Sequence, residues 1–363
     1  MTRYGLPALV VLGVVAIATP EPAFGWDCPV GSRPGAPPPG REVACVDAEG
    51  RLHGPSAAWT DGGTLVAEGD YAAGAKTGRW RTYFPDGEPE SDGTYVDDKR
   101  HGDWTWWHDN GQKWFVGTYV MARSSGSWTY WHPNGQLESQ GAFINGVKYG
   151  PWRTWHATGA PAAEGRYTAG VRDGAWVLFR EDGTRDREGP YRSGREHGLW
   201  RSFTTDGTLE REVQWSNGEQ HGLERVFHPN GAVRSEGGFV AGRREGELRL
   251  FTPEGVLVAV ESWQGGVKHG RFQGFYPSGS PLFEGAMAFG SETGTWTRWH
   301  EDGTVASEGA FVDGKPDGPW TAYWPNGRVR STGRYQRGEK VGVWETRSED
   351  GTTVQTDDKG QSR

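Results

Sequence analysis

The sequence predicts an all-β fold, an elongated single-layer antiparallel meander of stacked hairpins twisted into a ribbon or trough, and three observations predict it. A pattern of 24 residues recurs without insertion or deletion, its opening glycine standing at every 24th residue from Gly54 to Gly342. Each unit holds two glycine-marked turns, which leaves room for two strands. Aromatic residues fall at the same places in nearly every unit. A fixed period sets the architecture because each unit can bury its apolar residues only against its neighbours. Composition agrees: 58 glycines and 20 tryptophans beside a 34% apolar fraction fit many short strands joined by tight turns rather than one large core.

The chain begins differently. Arg3 precedes an apolar run from Leu6 to Ala18, and Ala23-Phe24-Gly25 offers small residues for a cleavage site before Trp26. Residues 1–25 are therefore expected to be a secretory signal peptide, its apolar run too short for a span and ended by Pro20 and Pro22. The expected location is outside the cytoplasm: periplasmic, cell-surface or secreted, with no membrane insertion after cleavage. Cys28 and Cys45 are the two cysteines, and an even pair in an exported chain predicts a disulfide closing a proline-rich loop. In the chain-entropy model such a bond contributes about 3 kcal/mol. Residues 26–53 are thus a stapled cap, 54–351 the repeat array and 352–363 a polar tail expected to fray. The formal charge of −8 argues against nucleic acid or an anionic membrane surface as partner.

Within a unit, positions are numbered from 0 at the opening glycine. Position 9 is glycine in all thirteen units, often preceded by Pro-Asn or Pro-Asp as at Pro133-Asn134-Gly135. Proline pre-sets the first turn residue and glycine takes the positive φ of a bulge, so positions 7–9 predict a three-residue hairpin loop. That loop pairs position 5 with 11, setting aromatic residues such as Trp131 opposite branched aliphatics such as Leu137. A second turn is expected within positions 18–23, where position 20 is mostly glycine. If it holds four residues, it sets the tryptophan at position 2 across from the glycine at position 15 of the preceding unit.

Three aromatic columns result: position 2 (Trp80, Trp104, Trp128, Trp152 and five more), position 5 (Trp107, Trp131, Trp155 and nine more) and position 17. Positions 5, 11, 13, 15 and 17 are expected to share one face, while positions 2 and 5 differ by three. Either a bulge near positions 3–4 brings them together or both faces carry aromatics. The ligand-binding candidates are Trp80, Trp104, Trp107, Trp128, Trp131, Trp152 and Trp155.

These residues carry a family resemblance. G-T-Y-V-D-D-K-R-H-G at 93–102, G-A-F-I-N-G-V-K-Y-G at 141–150 and G-A-F-V-D-G-K-P-D-G at 309–318 resemble the MORN repeat. The continuation, with tryptophan where MORN repeats commonly place a second glycine, is similar to bacterial MORN-variant repeats, including YwqK-type antitoxins. The resemblance covers about residues 45 to 351. It implies a bacterial interaction module; because a single-layer sheet cannot bury both faces in itself, another protein is the expected partner, with a glycan stacked on the Trp and Tyr columns as one alternative and a ligand-free structural spacer, its aromatics packed over its own glycines, as the other.

Chemistry is not expected. All ten histidines occupy position 6 or precede the next unit's glycine, so neighbours of one kind stand about 9.6 Å apart, too far to share a metal. Acidic residues at position 14 and arginines at position 3 form columns too, which reads as a solvated ladder of ion pairs and not as one acid/base pair. Neither a metal nor another cofactor is expected.

Overall fold

The computed structural model describes residues 27–31, 33–34 and 42–360; the expected signal segment and the last three residues lie outside them. By its contacts the chain divides into two units, residues 1–102 and 103–363. In each, the described residues form antiparallel strands joined in sequence by turns, with no helix. The fold is all-β, an open antiparallel sheet of stacked hairpins.

Three strands of the second unit, Arg123–Trp131, Leu137–Ile144 and Val147–Trp155, show how one repeat is built. At the first turn the His132 N–H donates to Gln136 O at 2.8 Å and the Gly135 N–H to His132 O at 2.9 Å. Gly135 sits at φ +81°, the bulge residue of the predicted three-residue loop. Trp131 pairs with Leu137, as the sequence implies. The next pair is Tyr130 with Ser139, so Glu138 at position 12 is an extra residue. The bulge therefore lies on the second strand of the hairpin and not near positions 3–4 of the first. Its effect is to turn positions 5 and 11 away from the face that positions 2, 13, 15 and 17 share, so both faces carry aromatics.

The second turn is shorter than expected. Ile144 pairs with Val147 across Asn145 and Gly146, at φ +52° and +83°, the geometry of a two-residue type I′ turn. Pairing runs on to Ala142 with Tyr149, then shifts to Gln140 with Arg153. Gly150, the opening glycine of its unit, falls in this bulge at φ +75°. The two additional residues restore the register of a four-residue turn, which is why Trp152 comes to lie over Gly141 after all.

Both rows of turns are tied from one repeat to the next. The Gly146 N–H donates to Ser124 O at 2.7 Å and Gly170 N–H to Lys148 O at 3.0 Å. At the opposite edge, Asn134 Nδ2 donates to Ala157 O, 23 residues on, at 2.6 Å. Where position 8 is aspartate, the carboxylate closes its own turn instead. Hydrogen bonds from the Thr204 hydroxyl and from the backbone N–H and side chain of Thr208 hold the Asp206 carboxyl down at about 2. A carboxyl lowered by folding stabilises the native state above its unfolded value of about 4, and that contribution disappears as pH falls from about 4 through about 2. Carboxyl NMR titration is expected to find Asp206 ionised at pH 3, and a titration midpoint near 4 would contradict the turn geometry.

The first unit follows the same plan through Leu52–Trp59, Leu65–Ala72, Ala75–Tyr83 and Pro89–Val96. Its cap is stapled as the sequence implies: Cys28 and Cys45 form a disulfide with Cα atoms 5.7 Å apart. Cys45 stands in the strand Glu42–Val46, where later repeats place the position-15 glycine, and is 2% exposed. Arg33–Pro34 pairs with Val46 and Cys45, and Pro29 packs so close to Gly54 that an added Cβ there would lie 2.7 Å from Pro29 Cδ. At the other end, the tail expected to fray is hydrogen-bonded. Val354–Asp358 pairs with Glu339–Arg347, because the last hairpin leaves an edge whose backbone groups it can satisfy. The strand that results is short, exposed and acidic, which discourages further pairing.

Candidate functional site

The position-2 column is the core of the sheet. Trp80, Trp104, Trp128 and Trp152 are 1–4% exposed, as are Trp176, Trp200, Trp296 and Trp344. Each indole for which the contact is described lies flat on the glycine at position 15 of the preceding repeat. A Cβ added to Gly69, Gly117, Gly141, Gly165, Gly189, Gly285, Gly309 or Gly333 would fall 1.9–2.4 Å from the ring. The indole N–H is paired as burial requires: Trp152 Nε1 donates to Ala142 O at 3.2 Å and Trp176 Nε1 to Arg166 O at 3.1 Å.

Position 17 closes the flanks edge-on. Trp152 meets Phe143 at 5.3 Å and Tyr167 at 5.9 Å, and the alternation continues through Trp176, Tyr191 and Trp200. A cation at position 22 covers the outer ring face: Lys148 Nζ stands 4.1 Å from the Trp152 ring, and Lys76 and Lys340 take the same place over Trp80 and Trp344. Four of the seven tryptophans expected to meet a ligand, Trp80, Trp104, Trp128 and Trp152, thus have no free ring face. Near the start of the second unit the aromatic packing thickens, with Trp106, Phe115 and Tyr130 beside Trp104 and Trp128. Burial there pushes the Tyr130 phenol up to about 12.

The other three candidates, Trp107, Trp131 and Trp155, lie on the opposite face and are half-buried. Leu137 and Trp114, 36% and 44% exposed, extend that row toward solvent, and Lys113 Nζ stands 6.0 Å from the Trp131 ring. Farther along the same face runs the expected ion-pair ladder. Arg201 lies between Glu212 at 2.9 Å and Glu188 at 3.8 Å, and Arg225 and Arg249 both reach Glu236. These are solvated pairs of small individual worth.

The position-6 histidines bridge successive repeats. His132 Nε2 donates to Trp155 O at 2.9 Å, and His108, His156 and His228 repeat the bond. No cluster of His, Cys, Asp and Glu among the described residues has the form of a metal site.

In the second unit the position-2 tryptophan lapses at Glu224, Leu248 and Phe272. Glu224 is 3% exposed and both its carboxylate oxygens are engaged. Arg211 Nε donates to Oε1 at 2.6 Å and Arg244 Nη2 to Oε2 at 2.6 Å. Beneath it, the position-15 glycine is replaced by Val213. Two repeats on, Glu261 fills the glycine position and pairs with Lys268 at 3.0 Å. In the sequence these residues are no more than lapses in the pattern; the buried ion triad could be found only once the register placed Arg211 and Arg244 on either side of Glu224.

Seven segments of the chain match the family model described as MORN repeat variant: residues 76–97, 100–121, 125–145, 196–217, 220–241, 292–313 and 316–337. A search of curated proteins finds no match.

Proposed function

We propose that this chain, a MORN-variant repeat protein, is an exported, non-catalytic scaffold that binds another protein through the position-5 row of its second unit. The observation that carries the reading is the division of the aromatics between faces. The position-2 tryptophans are sealed against glycine, whereas Trp107, Trp131 and Trp155 keep part of their rings accessible beside Leu137 and the exposed Trp114. Aromatic side chains offer large contact area at low entropic cost, and such residues dominate binding energy at interfaces.

Their spacing favours an extended ligand. Identical positions recur every second strand, about 9.6 Å apart, close to the roughly 9.3 Å per turn of a polyproline II segment. The Cys28–Cys45 bond supports an oxidising location, and among the described residues no helix is long and apolar enough to cross a membrane.

The test is crosslinking in the exporting cell with the double variant Trp131→Ala/Trp155→Ala, checked by circular dichroism for an intact sheet. Capture of the partner is expected to fall at least 30-fold, the scale of a lost hot spot of about 2 kcal/mol. Undiminished capture would overturn the reading, as would loss of polysaccharide retention with protein capture unchanged.

A further inference from the structure

The lapse in the tryptophan column follows a volume rule. Where position 15 is glycine, the next repeat presents a tryptophan or, over Gly237, the smaller Leu248. Where position 15 carries a side chain, the next repeat never presents tryptophan: Val213 faces Glu224 and Glu261 faces Phe272. An indole could not lie over Val213, since even the Cβ of an alanine would fall within 1.9–2.4 Å of the ring at the equivalent glycines. Nine of the thirteen strands that open a repeat carry tryptophan at position 2, and all nine are excluded from this place. Of the remaining four, Ser56, Leu248 and Phe272 offer nothing to Arg211, while Glu224 supplies the carboxylate that Arg211 meets.

We propose that Arg211, Val213 and Glu224 form a register key that admits one strand beside Leu209–Ser216 and so prevents the array from pairing one repeat out of step. The hazard is inherent in the sequence. Thirteen units of one length present nearly interchangeable strands, and away from Val213 and Glu261 a slip by a whole period keeps each tryptophan over a glycine. Volume at Val213 rejects most wrong strands, and the charge of Arg211 rejects the rest. Arg244, from Arg243–Phe251, two strands on, closes the triad on the far side of Glu224, although its Nη1 is enclosed without a hydrogen-bond partner. A buried ion triad with an unpaired donor is a poor way to gain stability and a good way to specify one arrangement.

The test replaces the key with the residues of an ordinary repeat, Arg211→Ser/Val213→Gly/Glu224→Trp, and reads register by disulfide trapping after refolding. Glu212 and Arg225 are cross-strand partners in the native pairing, whereas a one-repeat slip would bring Arg225 opposite Glu188. With the key intact, only Glu212→Cys/Arg225→Cys should close. Without it, Glu188→Cys/Arg225→Cys is expected to close in a tenth or more of the molecules, within or between chains. A keyless protein that refolds as one monomeric species, trapped solely in the native pair, would overturn the proposal.

A transplant tests sufficiency. Gly141→Val alone should block Trp152, while Ser139→Arg/Gly141→Val/Trp152→Glu, with Arg172 already in the place of Arg244, should restore a single folded species. A triple variant no better folded than Gly141→Val would equally sink the idea.

Discussion

Replacing Trp152 with alanine is expected to cost about 3–5 kcal/mol, the range for deleting a fully buried aromatic. At 1% exposed, the side chain lies against the Gly141 backbone, touches Phe143 and Tyr167, and lies under Lys148. Its loss opens a space that a single-layer sheet has no second layer to fill. The reciprocal change, Gly141→Ala, should cost about 1–3 kcal/mol by overpacking, because the new Cβ would stand 2.2 Å from the indole.

Combining the two makes the expectation sharper. Gly141 is in extended backbone that alanine adopts freely, so in the Trp152→Ala background the second substitution should be neutral or stabilising by up to about 1 kcal/mol. Urea unfolding of the four members of this cycle measures the coupling, and additive effects would show that the indole does not rest on that glycine. Because a repeat array can open locally, hydrogen exchange over residues 137–167 should accompany the global measurement.

The second large effect is expected at Glu224. Removing one partner of a buried ion pair costs about 3–5 kcal/mol, and here one carboxylate serves two arginines. Arg211 and Arg244 keep 35% and 25% of their side-chain exposure and can turn partly to solvent, which puts Glu224→Ala at about 3 kcal/mol, the lower end. The corresponding change in the surface ladder, Glu236→Ala, should cost no more than about 1 kcal/mol. Equal destabilisation of the two variants in urea would mean that the triad is no better shielded than the ladder.

Much of the fold was legible because it is repeated. The proline, asparagine and glycine of the first turn state their backbone requirements, and the pairing of Trp131 with Leu137 follows from the loop length. The second turn was harder to read. Its positive-φ residue ahead of the glycine is Asn145 in one repeat but Ala73, Ser193 or Phe289 in others, none of which announces a left-handed conformation. The opening glycine, read as the start of a unit, is the bulge that corrects the register behind a shorter turn.

The candidate site was legible only in part. Trp128 and Trp131 stand three residues apart as equivalent aromatics in the sequence, yet one is core and the other half-exposed on the opposite face. Nothing in either residue distinguishes them. Alternation along their own strand puts them on opposite faces, and the extra residue Glu138 on the opposing strand leaves positions 13, 15 and 17 on the side of Trp128; a bulge at that place carries no composition of its own, since position 12 ranges from Val66 through Trp114 to Arg330.

By itself the sequence determined the period, the number of strands per repeat and the first turn, because each is stated locally and then stated again in unit after unit, and it determined the disulfide because two cysteines allow one pairing; that the position-2 tryptophans lie on glycine depended on a bulge that it did not announce. Which aromatics face water, and that Glu224 is held between two arginines, were decided by the tertiary structure alone. Both depend on register, and register is a property of two strands together that neither strand contains.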